Sequence, residues 1–220
     1  MKKYKLTQIN EFTYSIKVLG STRAPLYECM KKMIKGSFYD EEIDSLFFAA
    51  ETVATFEDFI SANHQNSQNS HHYNNIKMID ELTKQIIYLK KLNYGFYGFD
   101  IQDIIVINND NYIFCSADYL VPLINEKIVF YSPINIPYFG SPEILLINVL
   151  PSQIDYRCAY YSLATLLVYY LTKEYLLVGN EVKSDTEIEK ILTPLQNTKL
   201  YWFLKRCLYL ESDKRRLLLI

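Results

Sequence analysis

Between Cys158 and Leu171 the chain reads CAYYSLATLLVYYL, fourteen residues without a charge, a glycine or a proline. A helix of this composition has no polar stripe to turn towards water, so it must be covered on every side. It is shorter than the roughly 20 apolar residues that cross a bilayer, and Arg157 and Lys173 close it at its two ends. The rest of the chain therefore has to wrap one central helix. The material for this is present: half of the 220 residues are hydrophobic and 22% are charged, which excludes global disorder. The length suits one domain, or two small lobes sharing a core. A formal charge of −2 supplies no positive field for a phosphate backbone, so no nucleic-acid partner is expected.

Four cysteines, Cys29, Cys115, Cys158 and Cys207, lie far apart and mostly within apolar runs, the pattern of small reduced core residues. All three histidines, His64, His71 and His72, fall in the polar tract NHQNSQNSHHYNN. That leaves no histidine beside a Ser, Cys or Thr nucleophile and no zinc-like ligand spacing. Met1 to Leu19 alternates polar and apolar residues, unlike a secretory signal, and no membrane span is expected.

Along the chain, Leu6, Ile9, Phe12, Tyr14, Ile16 and Val18 recur near period two, and the strand-like pattern runs from Tyr4 to Ile34. This predicts an antiparallel sheet of about three strands. Asp40 then reads as an N-cap. Ile43, Leu46, Phe47, Ala50, Val53, Ala54 and Phe56 follow at helical spacing, predicting helical structure to about Ile60 with a break near Thr55. The domain reading is thus a reduced N-terminal lobe at 1–62, a polar flexible loop at 63–75, and a helical C-terminal lobe at 76–220. In the last, Ile76, Ile79, Leu82, Ile86 and Leu89 make the stripe of an amphipathic helix over Asn75 to Leu92. Ile104–Ile107 and Tyr112–Cys115, joined by Asn108-Asn109-Asp110-Asn111, form a hairpin. A proline-rich irregular stretch, Leu120 to Phe139, with room for one further strand pair around Ile128 to Tyr131, precedes four helical segments: Pro142–Leu146, Cys158–Leu171, Thr186–Leu192 and Leu200–Leu208.

This order of parts, together with three blocks of sequence, resembles the protein-kinase fold. Ser141-Pro142-Glu143 resembles the A-P-E motif that closes a kinase activation segment. Tyr161-Ser162-Leu163-Ala164 is similar to the W-S-L-G that opens the central buried helix, with Ala159 where the family has Asp. Arg206-Cys207-Leu208 and Ser212-Asp213-Lys214-Arg215-Arg216 are similar to the R-C-L…D-P-x-x-R pattern near the family's C-terminal end. The resemblance implies an α+β, protein-kinase-like fold with a reduced N-terminal β lobe, and an ion pair between Glu143 and Arg215 or Arg216. It is nearest to the degenerate kinase-like proteins of large DNA viruses, which implies an intracellular protein, cytoplasmic or virion-associated.

The chemistry-bearing residues depart from that family. Kinases position phosphates with a glycine-rich loop and a Lys, hold two Mg²⁺ on an Asp and an Asn, and orient the acceptor with another Asp. No G-x-G-x-x-G occurs here, and Gly20 is the only glycine near the first strands. Lys31 or Lys32 takes the position of the phosphate lysine, with Glu41, Glu42 or Glu51 as its helix partner. The catalytic-loop region, Tyr97 to Ile107, has neither the His nor the Arg of H-R-D; Asp100 matches the catalytic Asp only with a one-residue deletion, and no register keeps the metal-binding Asn. Asp118 lies two residues past the D-F-G position, ~6–7 Å along an extended chain, while Mg²⁺ ligation tolerates only distances of about 2.0–2.1 Å. The expectation is a catalytically inactive protein binding ATP and Mg²⁺ weakly or not at all. It would act as a protein-binding or scaffold module, with a partner docking around Leu120 to Phe139. The alternatives are a divergent active Ser/Thr kinase using Asp100 and Asp118, and an unrelated α+β structural or virion protein.

Overall fold

The computed structural model describes residues 3–63, 71–179 and 181–218. It is an α+β structure with several small antiparallel sheets and seven helices among the described residues. The chain divides into two compact units: Met1–Tyr94 with Ile101–Leu120, and Gly95–Asp100 with Val121–Ile220.

The first unit opens with β1 (Tyr4–Asn10) and β2 (Thr13–Val18), whose period-two pattern puts Tyr14, Ile16 and Val18 on one buried face. The chain then turns into a helix, α1 (Arg23–Met33), where the sequence pattern predicts strand to Ile34. Leu26, Cys29 and Met30 lie on its buried side, and its Tyr27 hydroxyl, buried against the sheet, accepts from Val18 N at 2.8 Å and donates to the Asp44 carbonyl at 3.1 Å. A strand, β3 (Phe38–Asp40), leads into Asp40, and two more, β4 (Ser45–Ala49) and β5 (Val53–Thr55), replace the predicted helix as far as Thr55; only its end, from Phe56, is helical, as α2 (Phe56–Asn63). Asp40 does cap backbone amides, those of Glu42 and Ile43 at 3.0 and 3.1 Å, but it caps a turn. That turn passes through Asp44 at φ 53°, a left-handed backbone held by hydrogen bonds from Tyr39 and Arg23 to its carboxylate. The first sheet has the order β1-β2-β4-β3, four strands where three are expected.

Helix α3 (His71–Lys91) begins four residues before the predicted Asn75, so 71–74 belong to the helix, while residues 64–70 of the predicted polar loop lie outside the described residues. A second sheet, β5-β7-β8, pairs β7 (Ile104–Ile107) with β8 (Asn111–Phe114) across a turn in which Asn108 and Asn109 take positive φ. Gln85 of α3, fully buried, donates to the Tyr112 carbonyl at 2.6 Å and accepts from Phe114 N at 2.9 Å, stitching helix to hairpin.

The second unit is built on a sheet of order β11-β10-β9-β6, from β6 (Tyr94–Phe96), β9 (Leu120–Ile124), β10 (Lys127–Phe130) and β11 (Ser152–Asp155). A short α4 (Pro142–Leu145) precedes β11. Helix α5 (Cys158–Thr172) is buried on all faces, as its composition demands, and packs on α7 (Lys199–Cys207) through residues such as Phe203 and Leu204. Between them come the small hairpin β12 (Leu177–Val178) and β13 (Glu181–Val182), then α6 (Asp185–Leu192), which starts on a Ser184–Glu187 capping box. All four cysteines are buried free thiols. Among the described residues no helix is long and apolar enough to cross a membrane.

Candidate functional site

The open end of the β7–β8 hairpin gathers charged side chains in the first unit. The last pair of the ladder is Ile104 with Phe114, so the residues that flank it, Asp103 and Cys115, lie side by side, with Cys115 N donating to the Asp103 carbonyl at 2.8 Å. Just beyond, Ser116 Oγ accepts from Asp118 N at 3.3 Å and turns the chain. Lys3, immediately ahead of β1, reaches this end. Its Nζ lies 2.9 Å from Asp103 Oδ1, 3.9 Å from Asp118 Oδ2 and 4.5 Å from the centre of the Tyr119 ring. The Asp103 side chain is only 3% exposed, whereas that of Asp118 is 45% exposed, so the contact with Asp103 is the strong one and that with Asp118 is screened by water. Beside the clasp is a cavity of about 400 Å³ lined by Lys3, Tyr4, Thr55, Asp58 and Gln102 among others.

Tyr4 and Cys115 complete this cluster, and both are kept neutral. Burial first, then the neighbouring Cys115 and Asp103, push the Tyr4 phenol far above its ordinary range. Burial likewise raises the Cys115 thiol, with the Asp103 charge adding to it. Neither group is an activated nucleophile.

The residues singled out by sequence are dispersed. Lys31 and Lys32 are exposed in the last turn of α1 and stand on no strand; Lys31 pairs with Glu28 of its own helix at 3.6 Å. Glu41, Glu42 and Glu51 are exposed in turns and belong to no helix. Asp100 lies in the second unit, where its Oδ1 accepts from Tyr138 N at 3.1 Å. There the segment before it is also pinned by reciprocal backbone bonds between Phe99 and Phe139, at 2.9 and 3.0 Å. Gly98 makes this approach possible, since a β-carbon there would meet the Pro137 ring at 2.0 Å. His64 lies outside the described residues, and among the described residues no group of three or more His, Cys, Asp or Glu is placed to hold a metal ion.

In the second unit, Ser141 and Pro142 start α4 and carry Glu143 into its first turn. Glu143 meets Arg215 in a two-pronged pair, Nη1–Oε1 2.6 Å and Nη2–Oε2 3.0 Å. The Arg215 side chain is fully buried, and its remaining donors go to the carbonyls of Tyr209, Leu210 and Arg157 at 2.7, 2.8 and 3.4 Å. The Tyr161 ring of α5 covers the guanidinium at 5.0 Å. Arg216 bonds instead to the carbonyls of Asp213 and Arg215.

Sequence reasoning missed Lys3, Asp103 and Gln85. Lys3 gives no local signal, because its partners are about a hundred residues away. Asp103 did leave one: a carboxylate directly before an apolar strand, at the mouth of a predicted hairpin. Compared with known proteins, the chain matches no protein-family model and no curated protein.

Proposed function

We propose that the chain is a catalytically inactive protein-kinase-like protein, a pseudokinase that works as a protein-binding or scaffold module. The observation that carries this reading is the Lys3 ammonium at the mouth of the β7–β8 hairpin. In the kinase family the metal-binding Asn precedes such a hairpin and the metal-binding Asp follows it. Here Asp103 and Asp118 stand on those two flanks, and one cation already lies against both, at 2.9 and 3.9 Å. Mg²⁺ requires near-octahedral oxygen ligation at about 2.0–2.1 Å, and a resident ammonium repels a second cation. These residues do not fit a magnesium–nucleotide complex.

Two further features agree. The β1–β2 turn, Glu11-Phe12, has no glycine to admit a phosphate to the backbone and presents a carboxylate instead. From β2 the chain passes through a short turn into α1, so Lys31 and Lys32 stand on that helix and on no strand. An enzyme deprived of one group that stabilises transition-state charge slows by roughly 10²–10³. The kinase-like half of the reading is supported by the order α3, β7–β8 hairpin, β9–β10 pair, α4, β11 and buried α5, and by a Pro-Glu turn whose carboxylate is held by an arginine 72 residues on.

A thermal shift titration with ATP and Mg²⁺ tests the proposal. A nucleotide at 100 times its Kd adds about 2.7 kcal/mol of stability, or ~5–10 °C for a chain of this size. No shift is expected. A saturable shift that Asp118→Asn removes would overturn the reading.

A further inference from the structure

The cavity of about 400 Å³ beside the clasp is bordered by both faces of β1. Tyr4 and Leu6 register with Val18 and Ile16 on the buried face of the sheet, while Lys5 stands on the opposite, exposed face. A space that touches both faces of a strand lies along its edge, and β1 is the last strand of its sheet. Leu19 N donates to the Lys3 carbonyl at 3.0 Å. By the alternation of an antiparallel ladder, Lys3, Lys5 and Thr7 therefore exchange bonds with β2, and Tyr4 and Leu6 turn their backbone N–H and C=O groups to the cavity side. No described residue bonds to those groups. The far wall is formed by Gln102 and by Glu57 and Asp58 in the first turn of α2. Neither carboxylate meets a cation among the described residues; Asp58 accepts from the Thr55 hydroxyl at 2.6 Å. After burial, Cys115 and Asp103, the Asp58 charge also raises the Tyr4 phenol, so the acids lie toward the Tyr4–Leu6 face.

We infer that this edge is a peptide-docking site, and that its occupant is an extended segment of a partner protein, with Lys or Arg at alternate positions, added antiparallel to β1. A row of outward backbone donors and acceptors is matched by another strand and by little else. The charges select the side chains. In an antiparallel pair the residues opposite Tyr4 and Leu6 share their face and look toward Glu57 and Asp58, so a basic side chain there finds carboxylates that no described cation holds. The residue opposite Lys5 lies on the other face, where a second cation would be repelled and an uncharged side chain fits. The same lysine excludes a second copy of the chain. Two β1 strands paired about a two-fold axis at this point would set Lys5 directly against Lys5 of the copy. The volume is that of a ligand cleft, about 300–1,000 Å³. The inference goes beyond the pseudokinase reading and does not need it.

Fluorescence anisotropy on the full chain tests it, with a capped, fluorescein-labelled peptide of alternating Lys and Thr, about eight residues long. Saturable binding is expected at low salt with a Kd of about 100 µM or tighter, and a peptide of alternating Glu and Thr should bind at least about 10-fold more weakly. Methylating the Lys amide nitrogens, which face β1 in this register, should abolish binding, whereas methylating the Thr amides, which face away, should leave it within about 3-fold. Leu6→Pro deletes an outward N–H but no bond to β2, a change that edge strands tolerate. It should weaken binding at least about 10-fold, with circular dichroism confirming an unchanged fold. Glu57→Lys should turn the preference toward the Glu–Thr peptide. No saturable binding of the Lys–Thr peptide up to about 1 mM, or equal binding of the two methylated forms, would overturn the inference. So would a wild-type dimer in sedimentation velocity that Leu6→Pro abolishes, since the edge would then belong to a second copy. The ATP titration is indifferent to each of these outcomes.

Discussion

Removing the Glu143 carboxylate leaves the Arg215 guanidinium buried without its counter-ion. The arginine side chain is fully inaccessible, and the carboxylate bridges both terminal nitrogens at 2.6 and 3.0 Å. Breaking one partner out of a buried pair costs about 3–5 kcal/mol. Glu143→Ala should fall at the lower end, near 3 kcal/mol, for two reasons: Arg215 keeps the Tyr209 and Leu210 carbonyls, and Glu143 is 21% exposed, so water follows the deleted side chain. Against a typical stability of about 5–15 kcal/mol this is a large loss, and it lowers Tm by ~6–12 °C if the chain melts as one unit. Urea denaturation of Glu143→Ala, Arg215→Met and the double variant gives the coupling directly. The cycle should return at least about 2 kcal/mol. A single-variant loss under about 0.5 kcal/mol, or a coupling near zero, would show that the pair does not hold α4 to the C-terminal segment.

Other consequences can be checked on the same material. Gln85→Leu keeps the bulk but strands the Tyr112 carbonyl and the Phe114 amide, and should cost about 2–4 kcal/mol in urea. Lys3→Met, which removes the ammonium 2.9 Å from the buried Asp103 carboxylate, should destabilise by up to about 3 kcal/mol, with Lys3→Arg recovering most of the loss. Burial alone would raise the Asp155 carboxyl, but hydrogen bonds from the Arg157 side chain and amide and from Lys127 outweigh it and hold the group well below the usual carboxylate range. A depressed carboxylate contributes stability above its unfolded pKa of about 3.9 and loses it as pH falls. Asp155→Asn should therefore flatten the loss of stability seen below about pH 4 in acid titrations. Burial pushes the Cys29 and Cys207 thiols up to about 12 and raises Cys115 and Cys158 too, so a thiol reagent at pH 8 should label none of the four until denaturant is added.

Where periodicity and composition agree, the sequence was enough. The apolar run of α5 admits only a buried helix, the stripe of α3 is unambiguous, and Asn108-Asn109 mark a turn through their tolerance of positive φ. Between Arg23 and Thr55 two periods compete. Leu46, Phe47, Ala50, Val53 and Ala54 sit at helical spacing, but Leu46 and Phe48 also alternate, and the strands win because Asp44 turns the chain. That turn is held by Tyr39 and by Arg23, far from it in sequence. In the same way α1 resists detection because its buried side is defined by packing against α3 and β8, not by a clean stripe. The clasp follows this rule. Its strongest contact joins residues 3 and 103; the Asp103 side is marked by a carboxylate ahead of an apolar strand, but nothing around Lys3 announces a partner so far along the chain.

The central claim, that the hairpin mouth of the first unit holds a resident ammonium in place of a working metal site, is tested most directly by phosphotransfer. Purified protein is incubated with radiolabelled ATP, Mg²⁺ or Mn²⁺ and generic acceptor proteins, alongside the Asp100→Asn and Asp118→Asn variants. The account predicts no incorporation above background, into the acceptors or into the chain itself. Incorporation by the wild-type chain that disappears in both variants would contradict it and establish an active kinase.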